Sequence, residues 1–461
     1  MTNKRIIRVL IVISALFLAL LTYLMYFNMF QAETVATNPY NRRQWDDERY
    51  ISRGNIFDAD GLVLAETVAD EDGNSVRKYS QGRLYSHVIG YCSQIYGKSL
   101  LERAYDGELL GKGDIDLFIG DKKQGFDLNL TISNKIQRYA YEQMRGRKGA
   151  VVAMDPESGK ILALVSLPDF DPDSLALEQN WNTIVEDENA PLIPRTVQGL
   201  YPPGSTYKIV TLAAAYENGM AERIFEDTGK FDMGHQTVEN YGGKAYGRIT
   251  LEEAFRVSSN QVFCTVGSEL GPETVLDISK RFGVDKDFGA ELDIAKSRIE
   301  YKRMTENDGA LVSIGQGQLL VTPMHMAMIC SSVANGGVMP RPYLVESVTK
   351  GSTVIKSGRT KSVGSVMSTE CAEYIGKQMV QVVEKGTGTR AKIQGVTVAG
   401  KTGTAENEKD KDHSWFVGYA PAENPQIAIA VILENDGSSG GDTAAPIAGN
   451  IMKKYLEYKN K

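Results

Sequence analysis

From Val9 to Phe27 the chain carries no charge and is mainly apolar. About 20 such residues suffice to cross a bilayer, and in hydrocarbon a lone segment satisfies its own backbone only as a helix. Lys4, Arg5 and Arg8 stand before the run. Basic residues ahead of a span predict a cytoplasmic N-terminus (residues 1–8), a single-pass anchor (residues 9–28) and translocation of the rest. A cleaved signal peptide is the competing reading. The run is long for one, and the bulky Phe27-Asn-Met-Phe30 offers no clear small-residue cleavage site. A retained membrane anchor is the expectation.

The chain has 461 residues, 42% of them hydrophobic, enough for more than one domain and a sizeable core. Net charge is -7 and no basic stripe argues for nucleic acid. Cys92, Cys264, Cys330 and Cys371 form no C-x-x-C and do not pair with histidine at metal spacing, so no metal is expected. Cys264 and Cys330 fall in apolar, helix-like surroundings and read as buried free thiols. Disulfide pairing stays open at this stage.

Chemistry is concentrated at Tyr201-Pro-Pro-Gly-Ser-Thr-Tyr-Lys208. After the Pro-Pro-Gly break, Ser205 to Asn218 reads as a helix, stopped by Asn218-Gly219. Ser205 and Lys208, three residues apart, share one helix face. Serine is a poor nucleophile without a base, and lysine serves as one when burial or a neighbouring cation lowers its pKa. A lone S-x-x-K is usually an N-cap and a solvated charge. Here Ser258-Ser-Asn260 and Lys401-Thr-Gly403 follow. S-x-x-K, S-x-N and K-T-G in that order are the set shared by penicillin-binding proteins and serine β-lactamases. The chain resembles a class B penicillin-binding protein, a peptidoglycan D,D-transpeptidase of the penicillin-binding protein A type with a short pedestal.

The resemblance extends along most of the chain. Residues 31–148 read as a separate module. Within it, Arg53-Gly-Asn-Ile-Phe-Asp-Ala-Asp-Gly-Leu-Val-Leu-Ala65 is a hairpin by its turn chemistry, and is similar to the opening motif of the family's non-catalytic pedestal. His87-Val-Ile-Gly-Tyr91 and Leu101-Glu-Arg-Ala-Tyr-Asp106 are similar to the same region; Lys98-Ser-Leu-Leu101 stands where a glycine pair is usual. Residues 149–461 read as the transpeptidase domain. Gly149–Met154 and Lys160–Val165 form a hairpin around Asp155-Pro-Glu-Ser-Gly159, and three strands follow near 396–404, 414–419 and 426–433. Together they predict an α+β fold: an antiparallel sheet of about five strands with helices around it. Thr250–Val257, Thr322-Pro323 through Asn335 and Ala445–Tyr458 read as helices. Arg195 reads as a structural ion pair, with Pro194 where the family commonly has asparagine. Gly315-Gln-Gly317 resembles a signature near the family's cleft, a weak signal by itself.

The resemblance implies a mechanism without metal or organic cofactor. Ser205 attacks a D-alanyl-D-alanine stem peptide, D-alanine leaves, and an amine of a neighbouring stem resolves the acyl-enzyme. Lys208 is the base, Ser258 relays the proton, and Asn260 holds Lys208 and the donor's amide. Lys401 lowers the pKa of Lys208 and, with Thr402, binds the donor's terminal carboxylate. Gly403 lets the substrate backbone approach, and the N–H groups of Ser205 and Thr404 form the oxyanion hole. β-Lactams would acylate the same serine. A β-lactamase on this scaffold would need a deacylation base, and no E-x-x-x-N-type element is evident. A carboxypeptidase differs only in its acceptor. A pure scaffold for a SEDS-type membrane glycan polymerase sits poorly with the intact motifs, although such a partner is implied by the resemblance. No glycosyltransferase domain fits between anchor and pedestal. Gly437-Ser-Ser-Gly-Gly441 matches G-x-S-x-G, but the last histidine is His413, upstream of it, so it reads as a loop.

Overall fold

The computed structural model describes residues 4–31, 51–69, 75–112, 123–234, 236–407 and 410–459. Along the chain, helix α1 (Lys4–Tyr26) is followed by a π-helical turn at Phe27–Gln31. It is exposed throughout and is the one described helix long and apolar enough to cross a membrane. Strands β1 (Ile56–Phe57), β2 (Val63–Ala69) and β3 (Ser75–Tyr79) come next, then the short helix α2 (Leu100–Ala104), strand β4 (Asp127–Leu130) and helix α3 (Asn134–Gln143). Hairpin strands β5 (Gly149–Met154) and β6 (Ile161–Leu167) precede a 3-10 turn at Gly204–Tyr207 and helix α4 (Lys208–Glu217). Strand β7 (Ile224–Asp227) and helices α5 (Leu251–Val257), α6 (Asn260–Arg281) and α7 (Pro323–Ala334) follow. The last part holds β8 (Val345–Lys350), β9 (Thr353–Ser357), α8 (Thr369–Lys385), β10 (Ala399–Ala405), β11 (His413–Ala420), β12 (Ile427–Leu433) and α9 (Ala444–Lys459).

The expected antiparallel sheet has five strands in the order β6-β5-β12-β11-β10. Four of its strands are mostly apolar because both faces are covered; β10 breaks the pattern with Lys401, Thr402 and Thr404. Successive side chains alternate between faces. Thus Val151 and Ala153 join α3 and α9 in one core, while Val152 and Met154 join α4 and α7 in the other. Among the described residues, strand β10 pairs only with β11, leaving its outer edge without a strand partner.

The pedestal sheet is built less locally. Its order is β9-β8-β4-β1-β2-β3, and β8 pairs antiparallel with β4 through Val348 and Leu128. A ribbon that follows α7 therefore completes a sheet begun at Ile56. The pedestal motifs explain themselves as a buried charge cluster. Arg53 Nε reaches Glu102 at 2.6 Å and its Nη1 reaches Asp106 at 2.7 Å, while Arg77 Nε takes the other Glu102 oxygen at 2.7 Å. Burial pushes the Glu102 carboxyl up, but the Arg77 and Arg53 guanidiniums prevail and hold it below the usual range. Glu291, in the chain between α6 and α7, is tied to the pedestal: it accepts from Tyr105 Oη at 3.0 Å and from Val345 N–H of β8 at 3.2 Å. All four cysteines are free.

Candidate active site

The segment expected as one helix from Ser205 starts as a tighter 3-10 turn, and the α-helix proper begins at Lys208. Glycines make this turn possible. Gly204 has φ +53°, and its N–H donates to Gly315 O at 2.9 Å. A Cβ on Gly315 would lie 2.0 Å from Gly204 O, and one on Gly204 would lie 2.5 Å from Thr404 O. The Gly204 peptide is thus clamped between Gly315 and strand β10, with the half-buried Ser205 next to it. This is the role of the weak G-x-G signal. Gly403 serves the same packing: a Cβ there would meet Pro203 O and Thr206 Cγ2, each at 3.0 Å. The sequence reading assigned Gly403 to substrate approach; the fold already needs it where the strand lies against the turn.

The second motif is set by two helix ends. A capping box at Thr250 and Glu253 starts α5, and Ser258 ends it in the left-handed conformation at φ 62°. A serine there costs about 1–2 kcal/mol, yet it turns both the carbonyl and hydroxyl of Ser258 to the lysines. Lys208 Nζ donates to Ser258 O and Asn260 Oδ1, both at 2.8 Å, and lies 3.3 Å from Ser258 Oγ. Lys401 Nζ donates to Ser258 Oγ at 2.8 Å and to Thr402 O at 3.0 Å. Ser258 therefore bridges the two lysines. No hydrogen bond joins Lys208 to Ser205 Oγ; catalytic bonds often tighten only when substrate is bound.

Both lysines are fully buried. Their nitrogens lie 5.4 Å from the Phe263 ring centre (Lys208) and 5.5 Å from that of Phe255 (Lys401). Burial lowers Lys208 to about 7. Burial also depresses Lys401, and repulsion from Lys208 adds to it. The like-charge repulsion expected between the two lysines is therefore present in the site. Two carbonyl acceptors take two N–H groups of Lys208, so its neutral amine keeps a lone pair for a proton.

Of the remaining expected residues, Thr402 is buried and its Oγ1 shares a 2.5 Å hydrogen bond with Thr387 Oγ1. Thr404 is half-buried on the edge strand. Arg195 is the structural ion pair it was read as, bonded to Glu434 at 2.8 Å. In the Gly437–Gly441 loop, Ser439 caps its own turn through Asp442 at 2.7 Å, with no histidine hydrogen-bonded to it. Sequence reasoning missed Asn240. Its Oδ1 accepts from the N–H groups of Asn260 (2.8 Å) and Gln261 (3.0 Å), fixing the start of α6. Lying 20 residues upstream, it carries no motif signal.

Two buried, depressed lysines bridged by Ser258, next to the Ser205 turn at a sheet edge, make up the candidate acyl-transfer site. The family is shown by comparison. Residues 149–453 match the family described as the penicillin binding protein transpeptidase domain, and residues 53–126 match the penicillin binding protein A dimerisation domain. The chain belongs to the penicillin-binding transpeptidases. It is 33% identical to the peptidoglycan D,D-transpeptidase PbpA of Mycobacterium tuberculosis (strain H37Rv), over 99% of each chain. It is 31% identical to stage V sporulation protein D of Bacillus subtilis, over 88% of this chain and 68% of that protein. Among solved structures, the ceftriaxone acyl-enzyme complex of penicillin-binding protein A from M. tuberculosis superposes with a TM-score of 0.84 at 32% identity, covering 89% of this chain and 99% of that one. A D,D-transpeptidase domain from Eggerthella lenta gives a TM-score of 0.81 at 36% identity, covering 89% of this chain and 99% of the other.

Proposed function

We propose that this chain is a peptidoglycan D,D-transpeptidase whose nucleophile is Ser205. The observation that carries the reading is the Lys208–Ser258–Lys401 bridge beside the clamped Ser205 turn. Neutral Lys208 takes the Ser205 proton as Oγ attacks the penultimate D-alanine carbonyl. The N–H groups of Ser205 and Thr404 receive the oxyanion, each worth about 3–4 kcal/mol of barrier. The proton then passes through Ser258 to the departing D-alanine amine. A stem-peptide amine resolves the acyl-enzyme by the reverse relay. Asn260 holds Lys208 and the donor amide; Lys401, Thr402 and Thr404 receive the terminal carboxylate. β-Lactams enter the first half of this cycle and stop there.

The proposed organisation is a cytoplasmic segment (1–8), an anchor (9–28), a pedestal (31–148) and an extracytoplasmic transpeptidase domain (149–461), with the β8–β9 ribbon reaching from the last into the pedestal sheet. A SEDS-type glycan polymerase touching anchor and pedestal is the proposed membrane partner.

The test is acylation of the full chain in detergent by a labelled penicillin, followed by intact mass over hours. A persistent one-to-one adduct, absent from Ser205→Ala, is expected. Rapid formation and rapid loss would make the protein a β-lactamase. No adduct on folded protein would refute the nucleophile.

A further inference from the structure

Behind the lysines lies a carboxylate that no motif includes. Asp227 ends β7, is 1% exposed and has no ion-pair partner among the described residues. It accepts four hydrogen bonds. Oδ1 takes Gly229 N–H at 2.8 Å and Asn240 Nδ2 at 2.9 Å; Oδ2 takes Asn240 Nδ2 at 3.0 Å and Ser259 Oγ at 2.6 Å. Every contact is a donor, as an ionised carboxylate requires.

Those bonds fix the two residues that organise the start of α6. Ser259 is its N-cap and accepts from Val262 N–H at 3.1 Å. Asn240, also held by Lys244 O at 2.8 Å, receives the next two free N–H groups, those of Asn260 and Gln261. Asn260 and Ser258, on either side of Ser259, are the residues that grip Lys208.

We infer that Asp227 is a positioning residue for the acyl-transfer reaction, fixing the S-x-N turn through Asn240 and Ser259 while its buried negative charge favours the protonated form of Lys208. The inference rests on the proposed Ser205–Lys208 chemistry. Burying two ammoniums drives off their protons, and an anion fixed close by opposes that. The other groups facing the lysines do not replace it. The Cys264 thiol on α6 is pushed up by burial to about 12 and stays neutral, and Lys401 on β10 is itself a base. On the flank of Asp227, the Tyr246 phenol is raised, by burial and then by Asp227, and Arg256 on α5 acts on it in the opposite direction. Burial, the largest effect, lowers Lys208, while Cys264 and then Asp227 act in the raising direction, and the Cys264 thiol is itself held neutral by burial.

The experiment is the pH profile of the second-order rate of Ser205 acylation by a fluorescent penicillin, using the full chain in detergent. In the wild type the rate rises as Lys208 loses its proton. In Asp227→Asn, isosteric and uncharged, that limb should move about one pH unit towards acid. Ser259→Ala keeps the charge and loosens the turn, so its rate should fall several-fold with the limb unmoved. Superimposable wild-type and Asp227→Asn profiles, or an equal limb shift in Ser259→Ala, would overturn the inference. If Asp227→Asn does not fold, Ser259→Ala alone still decides, because a moved limb refutes the separation of charge from position. A wild-type chain without an adduct would refute the Ser205 reading itself.

Discussion

Adding one methyl group at Gly315 should disable acylation without touching a catalytic side chain. In Gly315→Ala the new Cβ would lie 2.0 Å from Gly204 O, 2.7 Å from Gly204 C and 2.8 Å from Gly204 N. A non-bonded carbon and oxygen need well over 3 Å, roughly the spacing of even weak C–H···O contacts, so the peptide must retreat by about an ångström. It cannot retreat freely, because Thr404 O closes the far side at 2.5 Å from the Gly204 Cβ position. Overpacking of this kind costs about 1–3 kcal/mol, and alanine at φ +74° adds about 1–2 kcal/mol. The Ser205 N–H and hydroxyl move with the Gly204 peptide, and a misplacement near 1 Å can cost about 100-fold in rate. The expected result is a destabilised but folded chain, followed by urea unfolding, whose acylation rate falls about 100-fold. A rate within about threefold of wild type, a change of roughly 0.7 kcal/mol in barrier, would show that the clamp does not position Ser205.

Four further outcomes follow. Ser258→Ala removes the hydroxyl bridging both lysines and should lower acylation about 10²–10⁴-fold, while also removing part of the relay needed for turnover; a stopped-flow penicillin assay would check it. Acylation should rise with pH through about 7 as Lys208 becomes neutral. Because the folded pKa of Lys208 is depressed from 10.5, the unfolded chain binds the extra proton between about 7 and 10.5, so this group adds stability as pH climbs through that window; urea midpoints at pH 7 and 9 in wild type and Lys208→Met should show the difference. Glu102→Gln leaves Arg53 and Arg77 buried against a neutral partner and should cost about 3–5 kcal/mol, read by urea unfolding.

The parts of this molecule legible in its sequence are those whose physics is local. Strands near 150, 415 and 430 are marked by apolar runs, the strand near 400 by short residues around the K-T-G motif, and the helix at Thr322-Pro323 by its cap. Ser205, Lys208, Ser258, Asn260 and Lys401 were placed by the order of three short motifs, and the fold brings Lys208, Ser258, Asn260 and Lys401 into one hydrogen-bonded group. What could not be read depends on partners far along the chain. Ser258 in a left-handed turn looks like any serine near a helix end. Asp227 and Asn240 look like turn residues because their meaning lies in N–H groups that α6 leaves free. Gly315 acquires its purpose only when Gly204 arrives against it.

The β8–β9 ribbon sets a timetable for biogenesis. Asn129 on β4 and Ser347 on β8 hydrogen-bond across 218 residues of sequence. At synthesis rates of about 5–20 residues per second, β4 waits roughly 10–45 s for its neighbour. Throughout that interval the nascent pedestal carries an unpaired sheet edge, a surface that invites pairing with other chains. The ribbon also couples two fates that a linear map would separate. A chain truncated after α7 would retain Ser205, Lys208, Ser258 and Asn260 but lose both the K-T-G strand and two of the six strands of the pedestal sheet, so a nonsense product would be a substrate for quality-control proteases at both ends.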